Sequence, residues 1–204
     1  AAPSGDIPEA ALTHYRVARV YRDRDELERS KEELAQALML APDWTAAINL
    51  RAALALSDGD EDGAMVSWER SLEIDPSQAR VRLTLGELHR KRGDMGLAEK
   101  ALVQAARDGA ADAHYVLADL AFERHDYRAA ERSLAAFFST STGGLSREPA
   151  LALQQQVQRR LLQMRALVTS AIVLVLGLVL GVLLRRRAGK PLSALIAAAP
   201  EAAH

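Results

Sequence analysis

The chain of 204 residues contains no cysteine. Disulfides, thiolate zinc sites and cysteine nucleophiles are therefore excluded. Lysine is nearly missing as well: only four of the 26 cationic side chains are Lys, and the other 22 are Arg. Aromatics are few, with three Phe, four Tyr and two Trp, and no basic stripe with interleaved aromatics appears, so nucleic acid is not an expected partner. Asn occurs once, as Asn49. The sequence has no G-x-S-x-G, no Walker loop and no G-x-G-x-x-G, the patterns that position a serine nucleophile or cradle phosphates. Its five histidines, His14, His89, His114, His125 and His204, do not pair at helical ligand spacing. Neither an enzyme nor a cofactor is expected.

Long apolar runs are absent except for one. Residues 166–184 pass without a charge, and thirteen of the nineteen are Leu, Ile or Val. As a helix the run would extend about 28 Å at 1.5 Å per residue, against a bilayer core of roughly 30 Å. A core helix of a soluble protein keeps a polar stripe; here only Thr169 and Ser170, near one end, are polar. The pattern predicts a transmembrane helix. Charge supports it. Residues 1–147 carry 25 acids and 19 bases, whereas residues 159–190 carry seven bases and no acid. Arg159, Arg160 and Arg165 precede the run; Arg185, Arg186, Arg187 and Lys190 follow it. The excess on the C-terminal side predicts a cytoplasmic C-terminus. The chain opens AAPSGD without Met, and small residues suit the mature side of a signal cleavage site. The expected location of the region before the span is thus extracytoplasmic, in the periplasm of a bacterium. Gly177 and Gly181 form a GxxxG pair that would let two such helices approach closely, so a homodimer is allowed.

The remainder repeats itself. Residues 28–44, 62–78, 96–112 and 128–144 align with a small residue at Ser30, Ala64, Ala98 and Ala130, a large one four places on at Leu34, Trp68, Leu102 and Leu134, and a third position at Ala37, Ser71, Ala105 and Phe137. Each unit is preceded by another helical stretch, at 9–23, 45–57, 79–92 and 111–124. Gly59 and Gly93 stand where a helix end favours a left-handed residue. Asp60 and Asp94 are suited to cap the next helix, and Pro42 and Pro76 close the first two units. The period of 32 to 34 residues and these positions resemble the tetratricopeptide repeat (TPR) family over about residues 10–140. The match includes His14, Val17, Ala18 and Tyr21 in the first unit and Leu85, Gly86 and His89 in the third. The second unit departs most, with Arg51 where the pattern has Leu.

The resemblance implies an all-α solenoid of about four helix pairs whose first helices line a concave groove that takes a protein or peptide. Groove candidates are Tyr15, Arg16, Arg19, Arg22, Asn49, Arg80, Leu83, Glu87 and Arg90. Arginine dominates this set, which suggests an acidic partner. The clamp for a C-terminal carboxylate in chaperone-binding members uses Lys and Asn; with one Asn and no Lys near it, that ligand is not expected. One stretch offers a rival reading. Asp58, Asp60, Asp62, Gly63 and Glu69 fit the EF-hand calcium pattern, but the repeat needs residues 64–68 as helix, so no metal is favoured there.

The expected organisation is a flexible N-terminus (1–8), a four-repeat solenoid (9–140), a capping and juxtamembrane helix (147–165), a transmembrane helix (166–184) and a short basic tail (185–204) that reads as cut. Residues 139–144, STSTGG, read as a joint before the cap. The leading expectation is a membrane-anchored interaction module. The alternatives are the sensor part of a longer single-pass receptor, such as a sensor kinase, and a tail-anchored adaptor resembling the mitochondrial fission receptor.

Overall fold

A computed structural model of the chain describes residues 7–140 and 147–188. Among the described residues it has nine α-helices and no strand. Two compact units divide at Gln154 and Gln155. The first contains α1 (Glu9–Asp23), α2 (Leu27–Leu40), α3 (Thr45–Ser57), α4 (Glu61–Ile74), α5 (Ala79–Arg92), α6 (Met95–Arg107), α7 (Ala111–Glu123) and α8 (Tyr127–Thr140). The last helix, α9 (Arg147–Ala188), begins in the first unit and supplies the described part of the second.

Consecutive helices pack as antiparallel pairs: α1 with α2, α3 with α4, α5 with α6, α7 with α8. One turn geometry makes all four hairpins. A left-handed residue stands in each, Asp25 (φ 61°), Gly59 (φ 81°), Gly93 (φ 86°) and His125 (φ 62°). The N–H of the next residue then bonds back to a carbonyl of the helix just ended: Glu26 to Tyr21, Asp60 to Ala55, Asp94 to His89 and Asp126 to Ala121, each at 2.9 Å. This pattern satisfies carbonyls that the helix end leaves unpaired. The sequence singled out only the two glycines. Asp60 accepts from the Gly63 N–H and caps α4. Asp94 stands at the cap of α6 without a side-chain bond, contrary to expectation. Pro42 and Pro76 lie two residues beyond α2 and α4, and the residues before them, Ala41 and Asp75, leave the helical region, as residues before proline do.

Each pair closes on small residues. Ser30 meets Ala18, Ala98 meets Gly86, Ala52 and Ala64 share one cluster, Ala118 and Ala130 hold the equivalent places in the repeat, and all eight are buried. A Cβ on Gly86 would lie 2.7 Å from Leu102 Cγ, so α5 and α6 have no room for even a methyl group at that point. Ser30 keeps its hydroxyl satisfied by donating to the Ala18 carbonyl at 2.8 Å. Leu34, Trp68, Leu102 and Leu134 fill the space beside these crossings and are all buried. Trp44 packs between the first two pairs, its ring 4.5 Å from that of Tyr15. At the start of α9, Ala150 and Leu153 are buried and fall in the first unit. The expected joint at 139–144 falls mostly outside the described residues.

Candidate functional site

The face built by α1, α3, α5 and α7 is where the groove candidates fall. Because the repeat is regular, one register position recurs on each helix. Tyr15 corresponds to Asn49, Leu83 and Tyr115; Arg19 corresponds to Ala53, Glu87 and Asp119. Along the second series the side chain changes from cation to neutral to anion.

At the α1 end, Arg16 and Arg19 are exposed and have no ion pair among the described residues. The Arg19 guanidinium lies 6.0 Å from the centre of the Tyr15 ring, within cation–π range. Tyr15 in turn rests on Trp44, tilted by 51°. Arg22 is held by its neighbour Asp23 at 2.7 Å. The middle of the face is uncharged. Asn49 donates to Gln78 Oε1 at 2.6 Å, and the Gln78 amide donates to the Ser71 and Asp75 carbonyls at 2.9 and 3.0 Å, closing the end of α4. Asn49 Oδ1 is buried and has no hydrogen-bond partner.

The α5–α7 end differs. Arg90 is bound by two carboxylates on α7, Asp119 and Glu123, both at 2.6 Å. It is not available to an acidic partner as the sequence suggested. Partial desolvation raises the pKa of Glu87 although the residue stays exposed, and the charge of Asp112 raises it further, with Arg90 and Arg80 opposing. Burial also pushes the Tyr115 hydroxyl up, with Asp119 adding to it. Leu83 is partly buried, packed against the core cluster that contains Leu102 and Val116. Arg80 is exposed, without an ion pair among the described residues. Sequence reasoning missed Asp112, Asp119 and Glu123; carrying the register of Arg80 and Glu87 one repeat further would have found the first two.

The stretch that fits the calcium pattern is occupied otherwise. Residues 61–69 lie in α4, as the repeat register needs. Asp58 pairs with Lys31, Asp60 caps Gly63, and Asp62 pairs with Arg92 at 2.6 Å. Among the described residues no three His, Asp or Glu side chains gather as a metal site.

In the second unit, all thirteen Leu, Ile and Val side chains of residues 166–184 are more than half exposed, from 51% at Val179 to 69% at Leu167. A Cβ built on Gly177 or Gly181 meets nothing within 4 Å. Arg185 lies within α9; the Arg186 and Arg187 side chains and Lys190 are outside the described residues.

Residues 11–43 match the tetratricopeptide repeat family. No curated protein matches the chain in sequence. Many solved structures share its fold, three of them as follows. One is MamA, 15% identical, with a TM-score of 0.60 over 75% of this chain and 88% of that one. Another is a tetratricopeptide repeat protein from Parabacteroides merdae, 13% identical, with a TM-score of 0.63 over 74% and 61%. The third is the APC/C hetero-tetramer Cut9–Hcn1, 16% identical, with a TM-score of 0.59 over 72% of this chain and 30% of that one. Identities this low establish the fold and nothing finer.

Proposed function

We propose that this chain, a tetratricopeptide repeat solenoid followed by one long apolar helix, holds a partner protein at a membrane surface. Solenoids of this type are protein-interaction modules, and their stacked repeats provide an extended surface rather than a closed pocket. The membrane half rests on one observation, the exposure of all thirteen branched apolar side chains in residues 166–184. Leaving them in water forfeits on the order of 20 kcal/mol of burial at about 1.5 kcal/mol or more per side chain. Lipid would remove that cost without any partner protein.

The partner we favour is an acidic segment bound at the α1 end of the face, on Arg16 and Arg19. Among the described residues these two guanidiniums have no carboxylate partner, whereas Arg90 has two. We place the solenoid on the extracytoplasmic side, from the larger basic count after the span than before it.

Proteoliposomes test the reading. A fluorescent Glu-rich peptide should co-sediment with liposomes carrying the full chain and remain in solution with empty ones. The double variant Arg16→Ala/Arg19→Ala should lose most of the bound peptide, and Arg90→Ala should lose little. Equal retention of Glu-rich and Lys-rich peptides would rule out the acidic partner. A full chain that fails to float with liposomes would rule out the anchor.

A further inference from the structure

A cleft of about 520 Å³ opens between α2 and α3, away from the residues assigned to the acidic partner. Its floor is apolar, with Leu34 and Leu54 almost fully buried and Leu38 beside them. Met39 forms the lip and is 69% exposed. The turn from α3 to α4 closes one end with Asp58 and Asp60.

The repeat register shows what is unusual here. The residue just before the small crossing residue is Val17, Leu85 and Leu117 in the first, third and fourth pairs, but Arg51 in the second. A guanidinium cannot be left in a dry core without a partner. Arg51 accordingly stays exposed on the cleft wall, and among the described residues its Nε donates to Ser67 Oγ alone, at 3.2 Å. The other charges lining the cleft are answered internally. Lys31 is bound by Glu28 at 2.6 Å and by Asp58. Asp60 accepts from the Gly63 N–H at 2.9 Å in the first turn of α4, where the helix dipole favours a negative charge. Arg51 has no carboxylate partner among the described residues.

We infer that this cleft binds a small amphipathic carboxylate, with an aryl or branched alkyl body on the Leu34–Leu54 floor and its carboxylate on Arg51. The volume lies in the range of small-molecule sites, which are mostly apolar with a few placed polar groups. Arg is the side chain best shaped to hold a carboxylate by two parallel hydrogen bonds. An alcohol of the same shape would keep the apolar contact and lose the charge. An amine would meet Arg51 as a like charge.

The chain contains four methionines, which provide the readout. Met39 is on the lip, Met65 in the core of the second pair, Met95 at the start of α6 and Met164 in α9. The full chain, labelled with ¹³C-methyl Met and held in lipid nanodiscs, is titrated with 4-phenylbutyrate, 4-phenylbutanol and 4-phenylbutylamine. The acid should shift the Met39 methyl saturably and leave Met95 in place; Met164 reports partitioning into lipid. Half-saturation by the acid should come about five- to tenfold below that of the alcohol, as a charge-assisted pair implies, and the amine should be weakest. Arg51→Gln should bring the acid to the level of the alcohol, with an unmoved Met65 methyl reporting an intact fold. On the unaltered chain, added salt should weaken the acid and not the alcohol. The inference fails if Met39 never moves, if acid and alcohol bind alike, if salt leaves the acid unaffected, or if the acid's preference survives in a folded Arg51→Gln. None of these outcomes bears on the acidic partner at α1.

Discussion

Glu87 shows how one residue acquires a property that its type does not have. Its ordinary pKa is 4.5, and both partial desolvation and the facing charge of Asp112 raise it. A raised folded-state value means that the native state binds the proton more tightly than the unfolded chain does. The stabilisation is fully present below the ordinary carboxylate range and is lost as pH rises through the raised value. At neutral pH the ionised Glu87 therefore opposes folding. Glu87→Gln should shift the denaturant midpoint upward at pH 7, and the gain should vanish near pH 4. A variant with the same advantage at both pH values would mean that charge is not the cause. The left-handed residues make a related point. Gly59 and Gly93 were legible as turn residues because glycine favours positive φ. Asp25 and His125 adopt the same conformation (φ 61° and 62°) without that signature, and only their equivalent place in the repeat points to it.

At the scale of the helix pair, the crossing residues set how close two helices come. Ala98 is fully buried, and its backbone and the buried Leu102 side chain close on Gly86. Ala98→Leu should destabilise the solenoid by about 1–3 kcal/mol through overpacking. Because neighbouring pairs share a core, the loss of hydrogen-exchange protection should extend beyond α5 and α6. Lys100→Ala, on the exposed side of the same helix, should change stability by less than about 0.5 kcal/mol. Denaturant melts followed through Trp44 and Trp68 distinguish the two, and equal midpoints would put Ala98 off the crossing. These pairs were readable in advance. The period, the small residues and the two prolines specify helix starts and ends locally, and the first helices expected at 9–23, 45–57 and 79–92 are α1, α3 and α5.

For the whole molecule, the question is what covers the apolar helix, which is long enough to cross a membrane. A Cβ on Gly177 or Gly181 would meet nothing within 4 Å in the single chain, so a second helix could approach there. Replacing both by Ile should lower energy transfer between labelled chains in a bilayer while the solenoid keeps its helicity. If unaltered chains show no transfer at high protein density, the two glycines reflect composition only.

Periodicity and composition determined the helix pairs, the buried alanines and leucines, and the charge-free run of residues 166–184. Each follows from chain-local physics: turn conformations, the 3.6-residue helical repeat and the cost of leaving apolar side chains in water. Tertiary structure decided which charges are available. Arg90 meets Asp119 and Glu123 across 29 and 33 residues of chain, Lys31 meets Asp58, and Asp62 meets Arg92. An arginine counted from sequence is a charge in water. Whether it remains one depends on which carboxylates the packing of separate helices brings within a few ångströms, and no local pattern encodes that distance.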